Sequence, residues 1–595
     1  MGISRELLKT WCEGLERYQV REGRVLEGKG GLWCPVCRRF HGRCLDAFYP
    51  FLAMADLGEQ RFLDAALLLY EWAEANVSEP DGSFLNDVDS DWKGITVFSV
   101  IQLAEAITHH GKILPPGWRE RITERTRKGA EFLFDFKELE ENNINYRAAN
   151  CLAMYMAGHL LGEEDYLKKA EKLAKDVLSC VSEDGILLGE GYPFEARTPM
   201  GCAPVDMGYN IEESLPVLAQ YAYLSQNREL ADKVIWMLKS HERFVLDDGG
   251  IDDSFGTRNF KWTYWGSRTS DGGALGYLLF SDREKRLGQA ASRMLQMLRR
   301  CTHNGLLYGG IYQYELGEPP CIHHTFTHAK VVAGILDYGL EERITDLPVQ
   351  RPEKTGIYYY KDMALYRAEG PEYTADLTSY DWQYGDLSQG HAGGGMMILL
   401  WQKEYGPVLC SGMNEYVRKE PANMQLPALD HHECISFRIE GEEQKAGYSS
   451  LYDDCSSMYE AGGEPAVLEA EGELRNAARR KLEGGQGRYR IRYTFSDHRI
   501  AFQAEIPENA CVVVPLVKAP GSRVRQEKNT LTIEGRADIR LTVTEGKLSL
   551  PYGEETIYNL VPGVEAVKVK LAPSFGGAGK VCWSVEFSGS HQAGA

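Results

Sequence analysis

The chain has 595 residues, 43% hydrophobic and 26% charged, the balance of a soluble globular protein too long for one hydrophobic core. A net charge of -20 excludes the basic field of a general nucleic-acid or membrane-surface binder, but leaves room for a local basic cleft that takes a polyanion. The N-terminal MGISRELLKTWCEGLERY has no apolar signal core, and no apolar run reaches the ~18–20 residues of a membrane span. The expectation is a cytoplasmic protein with its 14 cysteines reduced.

From Leu7 to about Gly339 apolar residues recur at three- and four-residue spacing, as in FLDAALLLYEWAEA and KVVAGILDYG, which predicts helices. Asp-Gly turns recur between them, at Asp81-Gly82, Asp184-Gly185 and Asp248-Gly249. Repeated helix hairpins point to an (α/α) toroid over residues 1–346, against an ordinary helical solenoid. Within it, Cys34, Cys37, His41 and Cys44 have the C-x2-C-x3-H-x2-C spacing of a zinc knuckle. In the competing reading, His41 and Arg43 face a cleft, with Trp92 as a further contact. ENNINYRAAN, Glu141 to Asn150, is either a helix cap or an amide cluster for an acid group. Tyr209 stands at the start of a predicted helix in MGYNIEES. DDSFGTRNFKWTYWGSRTSDGG gathers Arg258, Trp262, Trp265 and Arg268 in a glycine-rich segment. Aromatic rings that stack on sugars and guanidinium groups that fork onto acids suit an anionic-sugar subsite there. CIHHTFTHAK supplies His323, His324 and His328, without the HExxH pattern of a zinc protease.

LPVQRPEKTG, residues 347–356, reads as a linker. Beyond it, 357–595 alternates in short runs such as YRIRYTFSDHRIAFQAEI and predicts an antiparallel β-sandwich, so the fold class is multidomain α+β. His391 lies in a glycine-rich turn. With His432, and with His431 or Asp386 nearby, it could hold one divalent ion, zinc or manganese. No organic cofactor is expected, and the oligomeric state is open.

The order of these blocks resembles the heparinase II/III-like polysaccharide lyases. ENNINYRAAN is similar to their Asn-Asn-His helix segment, EDGILLGEGYPF with VDMGYNIEESL to the segment presenting a catalytic Tyr, and GHAGGGMMILLWQKEYGPVLCSG to the first β-sandwich signature. WCPVCRRFHGRCLDAFYP, WKGITVF and CIHHTFTHAK resemble the glycosaminoglycan lyases of the family numbered thirty-five. The chain departs at Ile144, where relatives carry His, and at Gln389, where a second His would stand. The resemblance implies β-elimination beside a uronate of hyaluronan, chondroitin or heparan type, leaving a 4,5-unsaturated product. The chemistry needs a neutraliser for the substrate acid, a base for the C5 proton and an acid for the leaving oxygen.

The assignments are Asn143 as neutraliser, with Asn142 and Asn145 as competitors. Tyr209 is the candidate for the acid and also for the base, with the helix N-terminal dipole favouring its phenolate. His324 and His391 complete the catalytic set, and His391 is also a metal ligand beside His432. Substrate contacts fall to His41, Arg43, Trp92, Asn145, Arg147, Tyr192, Arg258, Trp262, Trp265, Arg268 and His328. Two other readings compete: a glycoside hydrolase using paired carboxylates from Asp206, Glu212, Glu213, Asp252 or Asp253, and a non-catalytic binder of anionic sugars.

Overall fold

The computed structural model describes residues 2–138, 143–383, 391–418, 420, 424–428, 432–550, 556–574 and 578–588. Six helices, Phe48–Asp56, Thr96–His110, Ile144–Leu161, Leu215–Leu224, Ala274–Leu279 and Ile322–Asp337, pack side by side in chain order, and the last packs back on the first. Each carries a partner on its outside: Arg61–Asn76, Trp118–Asp135, Glu164–Leu178, Arg228–Glu242, Lys285–Arg300 and, for the last, the N-terminal Ile3–Glu16. The outer helices are amphipathic. Lys285–Arg300 buries Leu287, Ala291, Met294, Leu295 and Leu298 on one stripe and leaves its charges in water. Thr96–His110, an inner helix, is buried almost all round, as its near-continuous apolar sequence requires.

The recurring Asp-Gly turns follow outer helices and close the antiparallel bridges Ser78↔Phe84, Val181↔Leu187 and Val245↔Ile251. Gly82 and Gly249 sit at φ 96° and 89°, where a side chain is strained. A β-carbon there would also lie 2.2 Å and 1.9 Å from the carbonyl oxygens of Lys128 and Arg293 on the next outer helix. These turns are how one hairpin docks on the next.

From Gly356 onward the described strands pair antiparallel. Strands Gly356–Tyr360, Leu365–Glu369, Tyr373–Thr378, Met396–Gln402 and Gly406–Cys410 form one five-stranded sheet. An eight-stranded sheet runs between Ser457 and Ser588, and a further sheet is built on Ala510–Val517 and Val564–Ala572. Arg488–Ser496 alternates exposed and buried positions, the signature of a strand with one wet face. One hydrophobic core unites the helices with the inner side of the first sheet, and a second lies among the sheets. Arg367 of the first sheet is buried between Asp252 of the helical part, at 2.8 Å, and Asp376, at 2.6 Å. Arg351, in the connecting segment, donates to Asp247 at 2.6 Å and to the carbonyls of Gly370 and Tyr373. No described helix is long and apolar enough to cross a membrane.

Candidate active site

The centre of the site is the start of the fourth inner helix. Asp206 caps it, accepting the Tyr209 N–H at 3.0 Å. Asp253 accepts the N–H groups of Met207 and Gly208. The helix then widens into a π turn, Asn210–Ser214, which buries two successive carboxylates. Glu212 accepts from Ser270 at 2.7 Å and faces His328 at 3.4 Å. Glu213 accepts from the Asn145 amide at 2.6 Å, and its other oxygen has no hydrogen-bond partner among the described residues.

Tyr209 is buried, and its hydroxyl is hydrogen-bonded to Thr269. Lys261 donates to the phenol oxygen at 3.3 Å, and the Arg258 guanidinium lies over the ring, 4.3 Å from its centre. Burial pushes the phenol well above its ordinary range, against the pull of Arg258. The helix-dipole expectation of a phenolate is thereby corrected. Desolvation works against the dipole and favours the neutral phenol. Burial lowers Lys261 to about 8, with Arg258 adding to the effect and Glu420 opposing it. Burial likewise raises Glu213 to about 8, Glu190 to about 7 and Asp206 to about 6. Several groups thus change charge near neutrality within one cluster, the usual mark of a working site.

The cations already hold a carboxylate. Glu420, from the segment after the first sheet, is 2.5 Å from Lys261 and 3.4 Å from Arg258. Arg258 also binds Glu190 at 3.0 Å. Sequence reasoning missed Glu190, Thr269 and Glu420, and assigned Glu213 only to the competing hydrolase scheme. Glu190 had a faint signal in its place two residues before Tyr192. Thr269 and Glu420 had none, because only the fold brings them to Tyr209.

The amide assignment moves by two residues. Asn143 is a partly exposed N-cap whose side chain makes no cap bond, whereas Asn145 is buried against Glu213. Asn142 lies outside the described residues. Arg147 turns to Cys180 at 3.8 Å, and Trp92 donates its indole N–H to Tyr146 at 3.0 Å. Arg43 does not face substrate: Asp46, Asp271 and the Thr269 carbonyl take its guanidinium. Trp262 and Trp265 are not stacking platforms. Both are fully buried, with indole N–H groups given to the carbonyls of Ile251 and Tyr308. Tyr192 stacks on Trp382 at 4.4 Å and donates to the Gln383 carbonyl.

His324 lines a small pocket with Cys37, His41, Arg268, Thr269, Cys321 and His323, and Thr269 is the residue hydrogen-bonded to Tyr209. Burial, reinforced by Arg268, holds its pKa well below the ordinary value. Arg268 gives one nitrogen to the Leu560 carbonyl, while its Nε and Nη1 are buried without a hydrogen-bond partner among the described residues. His328 is held by the His324 carbonyl and Glu212, a structural position. His391 does not join this group. Its ring nitrogens lie 2.8 Å from the Trp382 carbonyl and 3.0 Å from the Ala392 carbonyl, and a neutral imidazole donates to one of the two. His432 packs between Tyr416 and Tyr558. His431 and Asp386 lie outside the described residues. Among the described residues, the side chains close enough to hold a metal are Cys34, Cys37, His41 and Cys321, with Cys44 not among them. His41 is buried, with Asp87 beside its Nδ1 and the Cys321 sulfur beside its Nε2.

A helical ring-like domain followed by antiparallel sheets, with an amide, a phenol and buried cations in one cluster, is the arrangement expected of a polysaccharide lyase. The sequence profile of the ulvan lyase N-terminal domain matches residues 8–354, and that of the ulvan lyase C-terminal domain matches 357–587. The chain belongs to the ulvan lyase family. It is 32% identical to a broad-specificity ulvan lyase of Formosa agariphila, over 96% of this chain and 91% of the relative. In fold it is similar to heparinase III, with TM-score 0.54 and 11% identity over 92% of this chain and 77% of the other. It is also similar in fold to Streptomyces coelicolor A3 chondroitin AC lyase solved with chondroitin sulphate, with TM-score 0.55 and 12% identity over 99% and 80% of the two chains.

Proposed function

We propose that this lyase acts on ulvan by β-elimination, rather than on hyaluronan, chondroitin or heparan chains. The ring of hairpins is then an (α/α) toroid whose rim frames the cleft, and the sheets form a β-sandwich that closes one side of it. The observation that carries the chemistry is the buried Tyr209 phenol, in contact with Lys261, Arg258 and Thr269 and one helical turn from Glu213.

In this reading Asn145 and protonated Glu213 bind the uronate carboxyl and stabilise the charge that grows on it as the C5 proton leaves. Neutral donors suit this task, because they gain strength as charge develops and do not hold the ground state too tightly. His324, kept neutral by burial, is the base. Tyr209 gives its proton to the leaving oxygen and recovers one from Lys261, 3.3 Å away. Arg258 and Lys261 hold an anionic group of the chain where Glu420 now sits. The likeness to a broad-specificity ulvan lyase and the cation pair support the substrate assignment.

A panel of ulvan, hyaluronan, chondroitin sulfate, heparan sulfate and alginate, followed by the ultraviolet absorbance of the unsaturated product, tests it. Ulvan should be cleaved fastest. Absorbance growth on a glycosaminoglycan with none on ulvan would overturn the assignment.

A further inference from the structure

Three cysteines and a histidine converge in a place that the elimination chemistry does not use. Cys34 and Cys37 lie on and beside the small hairpin Trp33–Cys34/Arg39–Phe40, and His41 follows it directly. The fourth member, Cys321, caps the last inner helix, Ile322–Asp337. All four side chains are buried, and their ligand atoms lie within 4.8 Å of one another. The sulfur of Cys321 is 3.8 Å from that of Cys34, 3.3 Å from that of Cys37 and 3.4 Å from His41 Nε2.

A tetrahedral zinc ion, with Zn–S near ~2.3 Å and Zn–N near ~2.0 Å, sets sulfur–sulfur edges of about 3.8 Å and sulfur–nitrogen edges of about 3.5 Å. The Cys34–Cys321 and His41–Cys321 separations match these edges, and the Cys37–Cys321 pair, at 3.3 Å, is shorter than one. Cysteines that serve only as small hydrophobes have no reason to aim at one point, or to include an imidazole there. The imidazole is also oriented as a ligand would be. Its Nδ1 lies 3.4 Å from Asp87, whose carboxylate is fixed by Gly42 N–H and the Asn86 amide, so Nε2 is the nitrogen turned toward the sulfurs.

We propose that Cys34, Cys37, His41 and Cys321 bind one zinc ion. Four protein ligands leave no open position, so the ion is structural. It joins the segment entering the first inner helix to the start of the last, across 284 residues, and so fastens the two ends of the ring where they meet. His323 and His324, in the turn that begins at Cys321, and Arg43, two residues after His41, inherit their positions from that clasp. Cys44 stands outside it: burial raises its thiol to about 12, as expected of a packing residue.

The test is elemental analysis of the full-length enzyme purified without chelator, together with exchange of cobalt(II) into it. One zinc per chain, and thiolate-to-cobalt charge-transfer and tetrahedral d–d bands, are expected. C321S should lose metal and the cobalt bands while C44A keeps both. D87N should weaken metal affinity about 10- to 100-fold, because it alters only the imidazole's support. Should C321S fail to fold, the cobalt spectrum of the wild type and the D87N affinity decide. Wild-type protein with no bound metal, a Cys37–Cys321 disulfide in its intact mass, or loss of metal from C44A but not C321S would overturn the assignment.

Discussion

Replacing Glu213 with glutamine separates its contribution to stability from its contribution to chemistry. Burial raises this carboxyl from 4.5 to about 8, with Asp271 adding to the shift and Arg43 opposing it. A group whose native pKa is raised binds its proton more tightly folded than unfolded. Its contribution to stability therefore declines as pH climbs from about 4.5 to about 8, at most ~1.4 kcal/mol per pH unit. At pH 7 the native state has lost up to ~3 kcal/mol relative to a neutral side chain, an upper bound because the neighbouring charges are coupled to it. Glutamine keeps the oxygen that accepts from Asn145 at 2.6 Å and has no proton to lose. E213Q should thus be more stable than wild type at pH 7 and nearly equal near pH 5. Urea unfolding at several pH values, with unchanged m, measures the gap. Turnover of E213Q near pH 6 should stay within a few-fold of wild type, because the amide still donates to the uronate. Its rate should fall less at alkaline pH, where wild-type Glu213 ionises and repels the substrate. A pH-independent gap in stability, or a hundredfold loss of turnover at pH 6, would refute the assignment of Glu213 as a neutral donor.

Y209F removes the proton donor and should lower kcat by ~10²–10⁴, while substrate binding by calorimetry changes only a few-fold. Equal loss in binding would make the phenol a binding group. E420Q removes a carboxylate that competes for Arg258 and Lys261, so KM for an anionic chain should fall. The lysine, deprived of a stabilising negative charge, should titrate lower than about 8, moving the corresponding limb of the pH–rate profile toward acid. H324A should abolish turnover and leave the fold intact by circular dichroism, whereas the same change at His391 should leave C5 proton exchange unaffected. W265A should cost about 3–5 kcal/mol in unfolding experiments, the loss expected for a buried indole, and lower kcat beyond the loss of folded fraction, because the indole packs on His324 and anchors the turn that carries Lys261.

The division into helices and sheets was legible because its signal is local. The 3.6-residue period, the Asp-Gly turns and the change of texture after Leu347 need no knowledge of distant partners. The site was only half legible for the opposite reason. Tyr209, Arg258 and the CIHHTFTHAK histidines stood out by type and company, but which of Asn143 and Asn145 faces the cluster depends on helix phase. One residue rotates a side chain by about 100°, two by more than half a turn. Cys44 fitted the knuckle spacing better than any other residue, yet Cys321 completes the group from the far end of the ring. The helix-dipole argument for Tyr209 was sound in sign but omitted burial, which no local pattern reports.

The tryptophans show how that omission can also conceal a function of a different kind. In a glycine-rich stretch beside cations, Trp262 and Trp265 suggested sugar platforms, but they are the anchor of the segment. Their indoles are pinned by backbone carbonyls, and Trp265 packs against His324 and His328 at 5.4 Å and 4.4 Å. Between them the chain makes a tight hairpin, Trp262–Thr263 with Gly266–Ser267. At Gly266, φ is 153° and a β-carbon would lie 1.9 Å from Glu212. Lys261 immediately precedes this hairpin, and Arg268 and Thr269 immediately follow it. The side chains that touch or border the Tyr209 phenol thus extend from one rigid, dehydrated turn. A cation held this way needs no reorganisation when charge develops nearby, which is where electrostatic catalysis gains most of its effect. Burying aromatic surface beneath the site, rather than displaying it to the sugar, is what lets two buried cations and a neutral phenol keep their positions.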